Sequence, residues 1–125
     1  MTRVPEDPTV VSAGDDMFFS SKIQSVAGMV GVKVVQALDA EQLYQLLSGP
    51  APRMIILDLN SKACAPLTAI RNIRADTRLK HVPVIGFLSH VQRELERLAQ
   101  EAGCDQVMPR SAFSRNLPKI LGGIR

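Results

Sequence analysis

Met54-Ile55-Ile56-Leu57-Asp58-Leu59-Asn60 runs four apolar residues straight onto a carboxylate, and it decides the fold. An apolar run this short, rich in β-branched side chains and closed by polar residues, reads as a strand buried on both faces. Working outward, similar runs occur at Thr9 to Val11, Val32 to Val35 and Val82 to Phe87, with a weaker one at Gln106 to Met108. Between them the apolar spacing changes to that of a helix. Phe19, Ile23, Val26, Ala27 and Val30 share one face; Leu43, Leu46 and Leu47 a second; Leu67, Ile70 and Ile73 a third. Leu95, Leu98, Ala99 and Ala102 make a fourth, on a helix expected over Val91 to Ala102, and Leu117, Ile120 and Leu121 make a fifth. Boundary signals agree: Asp39 with Gln42 forms a capping pair, Pro66 suits a first helical turn, and Gly31 and Gly103 stand where helices stop. Alternating strands and helices imply a mostly parallel sheet covered on both faces, because parallel neighbours need crossover connections.

The chain is 125 residues long and 46% hydrophobic, which suits one domain with one well-formed core. Residues 1–7, with one proline and mixed charge, read as a flexible lead-in, and residues 8–125 as the domain. No apolar stretch is long enough for a membrane span and no signal segment opens the chain, so a soluble cytoplasmic protein is expected. Cys64 and Cys104 lack metal-ligand spacing and read as small buried hydrophobes. The net charge of +3 comes from scattered bases, the densest being Arg71, Arg74, Arg78 and Lys80, which read as a solvated helix end. With one Tyr and no Trp there is no stacking platform, and nucleic acid is not expected as a partner.

Ligand chemistry in an open doubly wound sheet collects beyond the carboxyl ends of the strands. Asp15 and Asp16 follow the first strand and Asp58 ends the third. In strand order 2-1-3-4-5 those strands are neighbours, so three carboxylates converge. Asp16 also suits an N-cap, a role compatible with ligation. His90 follows the fourth strand but has no companion ligand, and reads as a capping or exposed residue. One member of Met17-Phe18-Phe19 must face outward on a helix; an exposed Phe18 would mark a contact surface. Ser12, Ala13 and Gly14 are small for an inner strand and suit a close backbone approach.

The acidic pair, the Asp closing the third strand, Pro83-Val84-Ile85 opening the fourth and Ala102-Gly103-Cys104-Asp105 before the fifth together resemble a response-regulator receiver domain. The resemblance covers about Thr9 to Leu121 and implies a (βα)5 flavodoxin-like fold. It places Asp58 on the phosphoacceptor position, and Asp15, Asp16 and the backbone carbonyl of Asn60 beside it as ligands of a weakly held magnesium ion. Phosphoryl transfer is largely positioning and charge neutralisation, so a hard cation among carboxylates suits that chemistry.

The departures carry as much weight. Leu88 falls where the family has a hydroxyl, Ser89 stands one residue late, and Val107 falls on the aromatic switch position. Arg110-Ser111 replaces Lys-Pro, while Lys62 and Pro66 occupy the places of the Pro and Gly that shape the loop after the phosphoacceptor. An Arg keeps the charge but needs room for a planar fork. Arg110 and Ser89 are therefore the phosphate-contact candidates, and Leu88 and Val107 are switch positions that have departed.

The expectation is a stand-alone, non-enzymatic signalling domain that acts through protein contacts, with Asp58 a compromised phosphoacceptor. The resemblance implies a histidine kinase or a downstream signalling protein as partner, docking on the fourth helix, fifth strand and fifth helix. The alternative is a regulator fully switched by phosphorylation in a phosphorelay. A third reading, a small flavodoxin-like enzyme or cofactor binder, lacks a glycine-rich phosphate loop, a Gly-x-Ser-x-Gly elbow and a Cys-x-x-Cys pair.

Overall fold

Short β-branched runs pair into a parallel sheet here because helical segments of ten or so residues carry the chain back across it each time. The computed structural model describes residues 9–124, and the expected lead-in over residues 1–7 lies outside the described residues. The elements are β1 (Thr9–Ala13), α1 (Met17–Val30), β2 (Lys33–Ala37), α2 (Ala40–Leu47), β3 (Met54–Asp58), a 3-10 turn (Lys62–Cys64), α3 (Pro66–Ala75), β4 (Val84–Leu88), α4 (Arg93–Ala102), β5 (Gln106–Pro109) and α5 (Arg110–Gly122). The sheet order is β2-β1-β3-β4-β5, all parallel, as expected from the sequence. β5 is an edge strand that ends on Pro109, so the missing N–H falls where no ladder continues.

Strand alternation sorts the core into two layers. Val10, Met54, Ile56, Ile85 and Phe87 pack with Phe19, Ile23 and Ala27 of α1 and Phe113, Leu117 and Leu121 of α5. Val11, Ile55, Leu57, Val84 and Leu88 face the other way, onto Leu43 and Leu47 of α2, Ile70 and Ile73 of α3, and Ala99 of α4. Gly86 lets the layers close, because a Cβ there would stand 2.7 Å from Leu59 Cδ1.

The helix boundaries follow side-chain chemistry. Asp39 Oδ1 accepts from Gln42 N–H at 2.8 Å, and Gln42 reaches back to accept from Leu38 N–H. Pro66 begins α3, and Gly31 and Gly103 end α1 and α4 in the left-handed region at φ 75° and 118°. Three expected starts shift: β2 begins at Lys33, not Val32, because Val32 N–H closes the end of α1 onto Ala27 O. β4 starts at Val84, not Val82, because Val82 N–H closes a turn onto Leu79 O; α4 starts at Arg93, not Val91.

The basic group read as a solvated helix end is in large part a clasp. Arg74 donates to the carbonyls of Gly103, Lys80 and Val82 and to Asp105, while Asp105 also accepts from Val84 N–H. Arg78 donates to Leu47 O and Gly49 O at the end of α2. Guanidinium forks reach carbonyls that helix ends and turns leave without partners, and charge counting alone cannot reveal that. Cys64 and Cys104 are free and buried, and burial pushes the Cys104 thiol up to about 11, so both are packing residues.

Candidate functional site

The carboxyl ends of β1, β3 and β5 meet at one rim, and each delivers a charged side chain there. β3 carries Asp58 to its last position, where the residue is 4% exposed. Its Oδ1 accepts from Asn60 N–H at 2.9 Å, a local turn that fixes the carboxylate as the chain leaves the strand. Gly14 makes the room: a Cβ there would lie 3.0 Å from Asp58 Cβ. Gly14, just after β1, thus keeps the backbone close to Asp58, a close approach that Ser12-Ala13-Gly14 suggests in the sequence without naming its partner.

Asp16 is the N-cap of α1, and its Oδ1 accepts from Phe19 N–H at 3.1 Å. Asp15 Oδ1 accepts from the buried Ser61 hydroxyl at 2.8 Å. Arg110 enters from the opposite side. β5 passes directly into α5, so the first residue of that helix stands at the rim. Its Nη1 donates to Asp16 Oδ2 at 3.1 Å, and its Nη2 lies 3.7 Å from Asp58 Oδ2. The guanidinium rests over two rings, 4.7 Å from the centroid of Phe19 and 5.6 Å from that of Phe87. Phe87 stacks in turn on Phe113 at 4.9 Å.

The two acids respond in opposite directions. The Phe19 N–H and the Arg110 guanidinium hold Asp16 below the ordinary carboxylate value. Burial pushes Asp58 up, the negative charges of Asp15 and Asp16 add to that, and the Asn60 N–H and Arg110 oppose it.

The remaining expected residues line the rim or turn away from it. Leu88 is 1% exposed in the α2–α3–α4 layer, and Ser89, one residue past the end of β4, is exposed. Ser89 N–H donates to Asn60 Oδ1 at 2.8 Å, and its hydroxyl pairs with His90 Nδ1 at 3.1 Å. Asn60 thereby ties the loop after β3 to the loop after β4. His90 is exposed. Val107 is half-buried against the same layer as Leu88. Phe18 is 93% exposed and Met17 62%, while Phe19 is buried, so two members of that run face outward.

Three participants escape the sequence reading: Ser61, and the rings of Phe19 and Phe87. A hydroxyl three residues after Asp58 was a signal for the first, but the rings read only as core. Asp15, Asp16 and Asp58 do share one rim, yet among the described residues no three His, Cys, Asp or Glu side chains form a metal-binding group. Arg110 stands among these carboxylates as a competing cation. Asp16 Oδ1 is used by Phe19, Asp58 Oδ1 by Asn60 and Asp15 Oδ1 by Ser61, while the second oxygens of Asp16 and Asp58 face Arg110. In this arrangement the residues do not fit a divalent ion.

No family model matches the sequence, and no curated protein matches it. Solved structures do. The chemotaxis response regulator CheY4 of Vibrio cholerae superposes with a TM-score of 0.83 at 15% identity, over 96% of this chain and 100% of that one. The phosphorylated cyanobacterial phytochrome response regulator RcpA gives 0.80 at 20% identity, over 95% and 91%. A response regulator protein from Burkholderia pseudomallei with a phosphorylated aspartic acid, calcium ion and citrate gives 0.79 at 17% identity, over 95% and 67%. At these identities the likeness establishes the architecture: five parallel strands in order 2-1-3-4-5 with five helices, the receiver fold.

Proposed function

We propose, from a receiver fold whose acidic rim is closed by an arginine, that this chain is an atypical receiver-like signalling domain acting through protein–protein contacts, with Asp58 a compromised phosphoacceptor. It is not an enzyme in this reading. It works in the cytoplasm; among the described residues no helix is long and apolar enough to cross a membrane. Its partner, a histidine kinase or a downstream signalling protein, docks on α4, β5 and α5. The observation that carries the reading is the seat of Leu88, packed into the core at the end of the strand beside Asp58. A switch must form bonds in one state that it lacks in the other. A hydroxyl donor to a charged phosphoryl oxygen contributes roughly 1.5 to 3 kcal/mol. Moving a population from 1:99 to 99:1 takes about 5.5 kcal/mol, so its loss removes a quarter to a half of the drive. Val107 offers no ring to rotate outward. Magnesium binding is weak, with Asp15, Asp16, Asp58 and the Asn60 carbonyl as ligands once Arg110 has left.

One observation favours the fully phosphorylation-switched alternative: Arg110 already reaches the pocket, so a basic group is in place for a phosphoryl oxygen. Amide NMR with magnesium and a beryllofluoride mimic separates the two. Shifts confined to the loops around Asp58 and Ser89 are expected. Large shifts across residues 107–121 would sink the first reading and promote the second.

A further inference from the structure

We propose that Arg110 is the resident cation of the carboxylate rim: its guanidinium holds the place a divalent ion needs, and an ion enters only when Arg110 swings out. This assignment holds whether or not Asp58 accepts phosphate. Beyond the bonds from Phe19 N–H and Asn60 N–H, Asp16 and Asp58 each keep a second oxygen, and Arg110 faces both, at 3.1 and 3.7 Å. A guanidinium and a metal ion are both positive and cannot share those oxygens.

What keeps Arg110 there is not its helix. As the first residue of α5 it stands at the positive end of the helix dipole, where a cation is disfavoured. The carboxylates and the faces of Phe19 and Phe87 outweigh that penalty, and both rings are themselves fixed by contact with Phe113. The Arg110 Nε is buried with no hydrogen-bond partner, so the side chain accepts an unsatisfied donor to keep its fork on the two acids. A lysine could not reproduce the arrangement, since it has no planar face for the rings and no fork to span two carboxylates.

Competition of this kind weakens apparent metal affinity by the fraction of molecules in which the seat is open. With Arg110 out in fewer than about one molecule in ten, the loss is at least about tenfold. The test is a manganese titration followed by water-proton relaxation, on the wild-type chain and on Arg110→Ala, with circular dichroism to establish folding. Arg110→Ala is expected to bind Mn2+ at least about tenfold more tightly, and Asp58→Asn in that background to abolish the gain. Equal or weaker affinity in the folded variant overturns the assignment, as does an absence of binding in both proteins or a gain that survives Asp58→Asn. Should Arg110→Ala not fold, Arg110→Lys decides: tightening of about threefold or more supports the proposal, and unchanged affinity overturns it.

Discussion

At the scale of single residues, Asp58 and Asp16 show how one rim sets two carboxyls apart. Burial raises Asp58 above 3.8, so between 3.8 and its folded value the native state holds a proton that the unfolded chain has lost. Stability from this group is fully present below 3.8 and falls as pH rises through the folded value. Asp58→Asn removes the cost of a buried charge and is expected to stabilise the protein at pH 7 by roughly 1 kcal/mol. Urea midpoints at pH 7 and at about pH 3.5 check this, with the gap closing at the lower value; a destabilised variant at pH 7 would show that Arg110 more than compensates the charge. Asp16 runs the other way: its lowered value contributes stability above 3.8 that is lost as pH falls through the folded value. Asp58 was legible in the sequence because it closes an apolar strand, and Asp16 because it stands just before the apolar start of a helix. Ser61 and the rings beneath Arg110 were not, since their roles depend on which side chains a tertiary contact brings within reach.

At the scale of elements, boundaries with a local cause were legible and those with a tertiary cause were not. The Asp39–Gln42 cap, the Pro66 start and the glycine stops each rest on bonds or φ values within a few residues. Ahead of β4 the Val82 carbonyl is taken by Arg74 from α3, and the same side chain binds Gly103 O and Asp105 in the connection before β5. Asp39→Ala is expected to cost about 1 kcal/mol, because Gln42 N–H then loses its acceptor in the first turn of α2. A thermal or urea midpoint reads this, and an unchanged midpoint would mean that water replaces the cap without loss. Leu88→Thr tests the departed hydroxyl directly. Thr brings the β-branched shape a strand favours but leaves a void and a buried hydroxyl in the α2–α3–α4 layer, so a loss of about 2 kcal/mol is expected. If Leu88 is what blunts the switch, the same variant should widen the amide shifts produced by beryllofluoride; shifts identical to wild type would place the defect at Val107 or Arg110 instead.

At the scale of the whole molecule, the sheet separates two packed layers, and Arg110 packs on the aromatic rings of only one. Phe19, Phe87 and Phe113 link α1, β4 and α5, and Arg110 lies on the first two of them. Leu88 and Val107 lie in the other layer, with α3 and α4. The five-unit topology was legible in the sequence because it rests on the two periodicities. The division of labour between layers was not, because it depends on which face each strand side chain takes at the rim. It has a measurable consequence. Removing Arg110 takes away one charge-assisted hydrogen bond and the ring contacts, and it leaves Asp58 facing Asp15 and Asp16 without a cation. Arg110→Ala should therefore cost about 2 kcal/mol at pH 7, while in an Asp58→Asn background the repulsion is weaker and the cost should fall to about 1 kcal/mol. The coupling of about 1 kcal/mol lies above the scatter expected for independent sites. Urea unfolding of the four proteins in that cycle gives the number, and strict additivity would show that Arg110 is held by the rings and Asp16 alone. Hydrogen exchange then locates the loss: protection should drop in α1 and α5 of Arg110→Ala and stay near wild type in α2 and α3, since local opening follows the cooperative unit that lost its contacts.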